Sequence, residues 1–238
     1  MANPSPKVTL ITGASSGIGL EVAKQLSNKH KLILVGRRAQ GEIDHQFDDN
    51  IRYIQTDFSN SSEAVGHVVQ KLEEFGVKHL DHVIQCAGMG SYASPLDEDM
   101  AEIGKTLNVN MLFPILLTRQ LASILEASKG KVTLIGSVAH KGSPQMASYA
   151  ASKAGISGFA RSLQSEWQGR IDVQVLHPGP TLTPMFAKAG YKLGLERHVF
   201  VPVKMMASEI IRLINSNKKS ATIFVMAKLK SLFIRGTS

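Results

Sequence analysis

Apolar positions along the chain follow two rhythms that alternate. Short, nearly continuous apolar runs occupy residues 7–12, 31–35, 51–55, 82–86, 131–136 and 171–176. Runs of this length without polar alternation read as strands covered on both faces, as in a parallel sheet. Between them lie segments with helical periodicity at residues 17–27, 61–75 and 148–167, and a long one within 96–127. In the long segment Leu107, Met111, Ile115 and Leu121 share a helix-compatible spacing, and Pro114 predicts a kink in its middle or a tolerated bend. A further helix at 204–215 and a strand-like run at 221–226 follow, while residues 39–50 are polar and aperiodic. Strictly alternating strands and helices predict an α/β fold: one Rossmann-like domain with a doubly wound parallel sheet and helices on both faces.

Composition narrows the function without naming it. With 238 residues, 43% of them hydrophobic, the chain can build one sizeable core, and it has no internal repeats to suggest a second domain. Its single cysteine, Cys86, excludes an internal disulfide and a metal-thiolate cluster, so a reducing, cytoplasmic setting is expected. The first residues form neither a basic leader nor an apolar signal core, and no run approaches the roughly 18 apolar residues of a spanning helix. The net charge of +8 can attract nucleic acid, anionic lipid or anionic small molecules. The basic residues are scattered, however, and no nucleic-acid motif accompanies them, which favours a solvated basic surface and no nucleic-acid partner. In the tail, Lys228, Lys230 and Arg235 interleave with apolar residues. Packing on the protein or on a neighbouring subunit is preferred there over peripheral membrane contact. No His/Asp/Glu grouping has metal-ligand spacing, and an isolated His177 reads as structural or exposed.

Two stretches carry candidate chemistry. Tyr149 and Lys153 are four apart, hence on one helix face, where a lysine ammonium favours ionisation of a neighbouring phenol. Such a phenol can give a proton to a carbonyl oxygen or take one from an alcohol. The spacing alone is common in surface helices. Ser137 adds weight, because it ends the run at 131–136 just ahead of that helix and can bring a hydroxyl beside the phenol. At the other end of the chain, the first strand runs into glycines at 13, 17 and 19 and then a helix. Glycines there let the backbone turn tightly and approach a diphosphate at a helix N-terminus. Their spacing is neither Gly-x-Gly-x-x-Gly nor a triphosphate-binding loop. After the second strand comes Gly36-Arg37-Arg38, with no carboxylate before Glu42. Arg37, and after it Arg38, can fork onto a ribose 2'-phosphate where an acid would repel it.

In this order and spacing the stretches resemble the short-chain dehydrogenase/reductase family over about the first four-fifths of the chain. The resemblance implies a nucleotide turn at Thr12, Gly13, Ser15, Ser16, Gly17, Ile18 and Gly19, and a catalytic Ser137, Tyr149 and Lys153. It adds Asn110 as a further catalytic residue, ahead of Asn108, holding a relay water through its side chain or a distorted main-chain carbonyl. It also implies cofactor contacts from Asp57, Phe58, Ala87, Gly88, Pro178, Gly179, Thr181 and Thr183, with NADP(H) favoured by the basic pair. Asp57 can equally cap the following helix. Cys86 stands where the family usually has asparagine, and so lacks an amide that steadies the central sheet. Residues 182–200 are expected to cover a small carbonyl or alcohol substrate. The helices holding Asn110 and Ser157 are expected at a homodimer or homotetramer contact. The resulting expectation is an NADP-dependent oxidoreductase. The alternatives are a catalytically weak NADP-binding regulator and a basic RNA- or membrane-associated structural protein.

Overall fold

A computed structural model describes residues 5–48, 51–191 and 200–224. Its centre is a seven-stranded sheet in which every pairing is parallel. The strands are β1 (Lys7–Thr12), β2 (His30–Gly36), β3 (Arg52–Gln55), β4 (His82–Gln85), β5 (Lys131–Ile135), β6 (Asp172–Pro178) and, after a small pair described below, β9 (Ser220–Ile223). Their spatial order is β3-β2-β1-β4-β5-β6-β9. The chain therefore works outward from β1 in one direction and then returns to continue in the other. The crossovers leaving β1 and β4 diverge at this point, which opens a crevice at the carboxyl ends of the strands.

Each strand is covered on both faces, as its apolar run requires. Neighbours along a strand point oppositely. In β1, Leu10 enters a core with α2 (Ser61–Glu74), α4 (Phe113–Ala127) and α5 (Ala147–Glu166), whereas Ile11 enters the other core with α1 (Gly17–Leu26) and α7 (Val203–Ile214). The single-domain Rossmann-like architecture expected from the alternation is thus observed. Between the two cores, a polar thread crosses the sheet. His82 Nε2 lies 2.9 Å from Thr133 Oγ1, which donates to Gln174 Oε1 at 3.1 Å. The Gln174 amide in turn donates to the Leu213 carbonyl at 3.0 Å, tying the sheet to α7.

The long central helix accommodates Pro114 by a local change of winding. α3 (Met100–Leu107) passes through a π-type turn at Asn108–Leu112 into α4. The physical reason lies in the proline, which has no N–H to give the carbonyl of Asn110 and whose ring crowds that carbonyl. Widening one turn relieves the clash before Pro114, and Phe113 N–H donates to the Asn108 carbonyl across it. A side-chain amide one residue before Cys86 joins the sheet to a helix on the opposite face. Gln85 Nε2 donates to the Pro114 carbonyl at 3.2 Å and to Thr118 Oγ1 at 2.6 Å, joining β4 to α4. Cys86 itself is close-packed against the nucleotide turn, where a Cβ placed on Gly19 would lie 3.1 Å from its own Cβ.

After β6 the chain forms β7 (Thr181–Leu182), which pairs with β8 (Val201–Pro202), and a short helix α6 (Pro184–Lys188). Residues 192–199 of the expected covering segment, the end of the 221–226 run and the basic tail lie outside the described residues. Among the described residues, no helix is long and apolar enough to cross a membrane, and no His/Cys/Asp/Glu group could hold a metal ion.

Candidate active site

The crevice at the sheet's carboxyl edge is a cleft of about 530 Å³. Its floor is the turn after β1. Gly13 and Gly17 have φ of 69° and 57°, which an L side chain resists. A Cβ on Gly19 would sit 2.5 Å from the Gly13 carbonyl oxygen. The turn can close only with glycine at these places. It delivers the N-terminus of α1 into the cleft with no acidic residue in its first turn and no side-chain cap from Ser16. Those N–H groups, with the helix dipole, suit an anion.

Most of the residues named from the sequence line this cleft: Gly13, Ser15, Ser16, Gly17, Ile18 and Gly19 on the turn, Arg37 and Arg38 after β2, and Asp57 and Phe58 after β3. Ala87 and Gly88 follow β4, while Pro178, Gly179, Thr181 and Thr183 follow β6. Ser137, Tyr149 and Lys153 stand between these two groups. Asp57 also has the second role considered for it, accepting the Ser59 N–H at 3.0 Å ahead of α2. Thr181 is buried and donates to the Gly179 carbonyl at 2.9 Å, whereas Thr183 stands over Gly17.

Thr12 and Asn110 are not brought to the cleft wall. Thr12 Oγ1 accepts the Ala87 N–H at 3.3 Å and so fastens the β1 turn to the β4 turn. The Asn110 side chain is fully committed: its Oδ1 accepts from Met89 N–H at 2.8 Å. Its Nδ2 donates to the Met89 carbonyl at 2.7 Å and to Ser152 Oγ at 3.0 Å. Of the two ways considered for it to hold a water, the side chain is spent, and only the main-chain carbonyl opposite Pro114 is left. Asn108 instead donates to the Ser59 carbonyl at 2.8 Å.

In the central cluster Tyr149 and Lys153 are buried and Ser137 is half-buried. Ser137 ends β5, with its Oγ accepting the Ala139 N–H at 3.1 Å, while Tyr149 and Lys153 project from the first turns of α5. Gly90 lies flat against the phenol, since a Cβ there would meet the Tyr149 ring at 2.9 Å. Lys153 Nζ donates to the Ile135 carbonyl at 2.9 Å and stands 5.7 Å from the centre of the Tyr149 ring. Burial raises the Tyr149 phenol above its ordinary value, and the Ser137 hydroxyl beside it pulls the other way. Burial lowers the Lys153 amine to about 8. In the chain alone the lysine therefore gives up its proton before the phenol does. Near neutral pH that amine is still mostly protonated, and an anion beside it would hold its charge further. Burial pushes the Cys86 thiol up to about 12, so it is not a nucleophile in waiting.

Several lining residues were not singled out by sequence reasoning. Lys188, at the end of α6, shares the cleft with Arg37 and Arg38, and its amine is lowered by burial and then by those two cations. Tyr92 comes from the turn after β4. His177 is buried rather than exposed, stacked on His140 with ring centres 4.1 Å apart, and burial lowers its imidazole to about 4. Only for the aromatics near Phe186 was there a signal, namely the mixed apolar run after Pro180.

The sequence pattern of the short chain dehydrogenase family matches residues 7–193. The chain belongs to the short-chain dehydrogenase/reductase family. Among relatives in this family, 11-beta-hydroxysteroid dehydrogenase A of Sesamum indicum is 32% identical over 183 residues, covering 73% of this chain and 52% of that one. The chain thus spans about half of that relative's length. Acetoacetyl-CoA reductase of an Acinetobacter strain is 30% identical over 190 residues, covering 75% of this chain and 76% of the relative. A solved 4-hydroxyisoleucine dehydrogenase complexed with NADH superposes with a TM-score of 0.80 at 25% identity, covering 91% of this chain and 96% of that one. An alcohol dehydrogenase from Thermococcus sibiricus complexed with 5-hydroxy-NADP shares the fold, with a TM-score of 0.79 at 22% identity and coverage of 92% and 96%. Family membership accounts for the order of the glycine turn, Ser137, Tyr149 and Lys153 along one sheet edge.

Proposed function

We propose that this chain is an NADP(H)-dependent oxidoreductase that interconverts a carbonyl and an alcohol, working as a reductase. The observation that carries this reading is the meeting of a half-buried Ser137 with the buried Tyr149 and Lys153 in the cleft that the α1 N-terminus also enters. The cleft suits a dinucleotide on its own terms. The uncapped α1 terminus and the side-chain-free glycine turn fit a diphosphate. The edge beyond β2 presents Arg37, Arg38 and Lys188, and neither arginine is in an ion pair among the described residues. Structural neighbours are described with NADH and with 5-hydroxy-NADP. The choice of NADP therefore rests on these cations, which match a 2'-phosphate.

When bound, the reduced nicotinamide supplies the hydride that reaches the carbonyl carbon. Tyr149 supplies the proton that reaches the carbonyl oxygen, so a ketone, NADPH and one proton become an alcohol and NADP+. Ser137 donates to the carbonyl oxygen and steadies its growing negative charge. Lys153 holds ribose hydroxyls of the cofactor. Charged beside the anionic cofactor, it also lowers the phenol, the effect that the chain alone does not display. Asn110 acts by fixing the 88–89 turn and α5, with its carbonyl left to hold a water on the path by which the tyrosinate regains its proton. Working as a reductase fits a cellular NADP pool kept largely reduced. We place the protein in a reducing, cytoplasmic setting as a homodimer or homotetramer through the α4 and α5 faces.

A screen of NADPH consumption with carbonyl compounds, run beside direct NADPH binding, tests the reading. Consumption that Tyr149→Phe removes supports it. Binding without turnover across the screen would instead favour a catalytically weak NADP-binding regulator. Salt-sensitive RNA or vesicle binding without turnover would favour a structural role. Sedimentation at assay concentration tests the assembly, and a fully active monomer would remove it.

A further inference from the structure

Beyond Tyr149 and Ser137 the cleft changes character. Its far wall comes from three segments: the turn after β4 with Met89 and Tyr92, the loop before α5 with Met146, and the α6 region with Phe186, Tyr191 and Phe200. Backbone bonds hold these segments together, Tyr92 N–H donating to the Ala189 carbonyl at 2.9 Å and Ala93 N–H to the Gln145 carbonyl at 2.8 Å. Four rings form one continuous cluster. Tyr92 meets Tyr191 edge-on at 4.7 Å between centres and Phe186 meets Phe200 edge-on at 5.0 Å, with Tyr191 5.7 Å from Phe186 and 6.1 Å from Phe200. All four rings remain only partly buried although they pack on one another. The rings themselves are apolar apart from the two phenol hydroxyls, and covering a ring face or edge with a further ring is favourable. Methionines beside them adapt to irregular outlines.

The charges are as informative as the rings. Among the described residues that line the cleft, the charged ones are Arg37, Arg38, Asp57, Lys153 and Lys188. The first three stand at the ends of β2 and β3, Lys188 lies within reach of both arginines, and Lys153 is bonded beneath the phenol. Lys188 stands on α6 two residues from Phe186, and the other four lie away from the rings. Away from Lys188, a carboxylate or phosphate on the substrate would leave water without a counter-charge among the described lining residues, and a polyol would lose hydrogen bonds to water against ring faces.

We infer that the substrate of this site is a neutral, mainly hydrophobic ketone, or the matching secondary alcohol, that carries a ring close to the reacting carbon, with Phe186 and Tyr191 as the wall that selects it. The inference rests on the oxidoreductase reading above. The far wall is built to exchange apolar contacts, so selection among substrates is set there by ring burial and by the cost of stranding charge.

The experiment compares kcat/KM for NADPH consumption with 1-tetralone, phenylpyruvate and glyceraldehyde: a neutral ring ketone, an anionic ring ketone and a small polar aldehyde. 1-Tetralone should exceed each of the others by roughly tenfold or more. Phe186→Ala and Tyr191→Ala should narrow that ratio mainly through KM, and Phe186→Leu, which keeps apolar bulk, should restore part of it. A preference for phenylpyruvate or glyceraldehyde, or an unchanged ratio in both alanine variants, overturns the inference while leaving the oxidoreductase reading intact. Equilibrium binding to NADPH-loaded Tyr149→Phe separates the two failures. If 1-tetralone binds there more tightly than phenylpyruvate while wild type consumes no NADPH with any probe, the substrate-class reading stands and the assigned activity falls. If it binds no better, the substrate-class reading falls.

Discussion

At the nucleotide end of the cleft the wall is backbone, held at the ends of parallel strands and closed by glycines. At the far end it is side chains, carried by short segments that reach the site from three places in the chain. The first construction admits few sequences. A Cβ on Gly19 has nowhere to go, and the positive φ at Gly13 and Gly17 is adopted freely only by glycine. The second admits many, because any ring or methionine of suitable bulk can cover an apolar ligand. Motifs therefore mark the end that handles the shared reagent, whereas the end that would select the substrate has no motif. Between them stands Tyr149, the proposed proton donor, buried against Gly90 and carried by α5, and it is where both halves must agree.

The largest expected effect is at that junction. Tyr149→Phe keeps the ring volume against Gly90 and deletes only the hydroxyl, so single-turnover NADPH oxidation should fall by roughly 10²–10⁴-fold. NADPH binding should stay within a few-fold. Near-normal chemistry in the folded variant would dissolve the junction as described. Next is the backbone end itself: Gly19→Ala should weaken NADPH binding by on the order of 100-fold or more, because the 2.5 Å approach to the Gly13 carbonyl must open. Titration by cofactor fluorescence reads this, and tight binding in the variant would mean that the turn is far softer than its geometry.

Side chains at the nucleotide end should matter in a graded way. Arg37→Ala should cut the preference for NADPH over NADH by about tenfold or more, as expected when charge-assisted bonds worth ~1.5–3 kcal/mol are lost. Lys188→Ala, at a partly exposed site that also meets the α6 segment, should cut it by less than about fivefold. Matched titrations with the two cofactors decide both, and equal affinities in wild type would remove the phosphate assignment.

A separate effect, on stability and not on the cleft, belongs to the sheet beneath both ends. Burial lowers the His82 imidazole to about 3, so the unfolded chain takes up a proton that the native one refuses. Stability should then fall as pH drops below about 6.5, by up to ~1.4 kcal/mol per pH unit for one such group. His177, lowered to about 4, adds in the same direction. Urea midpoints measured between pH 7 and 5.5, above the carboxylate range, should decline, and His82→Gln should flatten the decline. A midpoint indifferent to pH in wild type would show that water reaches His82.

The sequence by itself determined the alternation of strands and helices, the glycine turn, the phenol-lysine helix face and the serine at the strand end. These are local matters: periodicity, backbone freedom at three glycines and spacing within a helix act over a few neighbouring residues. It also placed Arg37 and Arg38 correctly at a strand terminus, because a parallel sheet puts every such terminus at one edge. What the tertiary structure alone decided depends on contacts between distant segments. A π-type turn precedes Pro114, Gln85 ties β4 to α4, and Asn110 spent its side chain on Met89 and Ser152. Lys188 joined the arginines across about 150 residues of chain, and Tyr92 met Tyr191 across about 100. No periodicity records such meetings, because they are fixed by how the layers pack and not by what lies next in the chain.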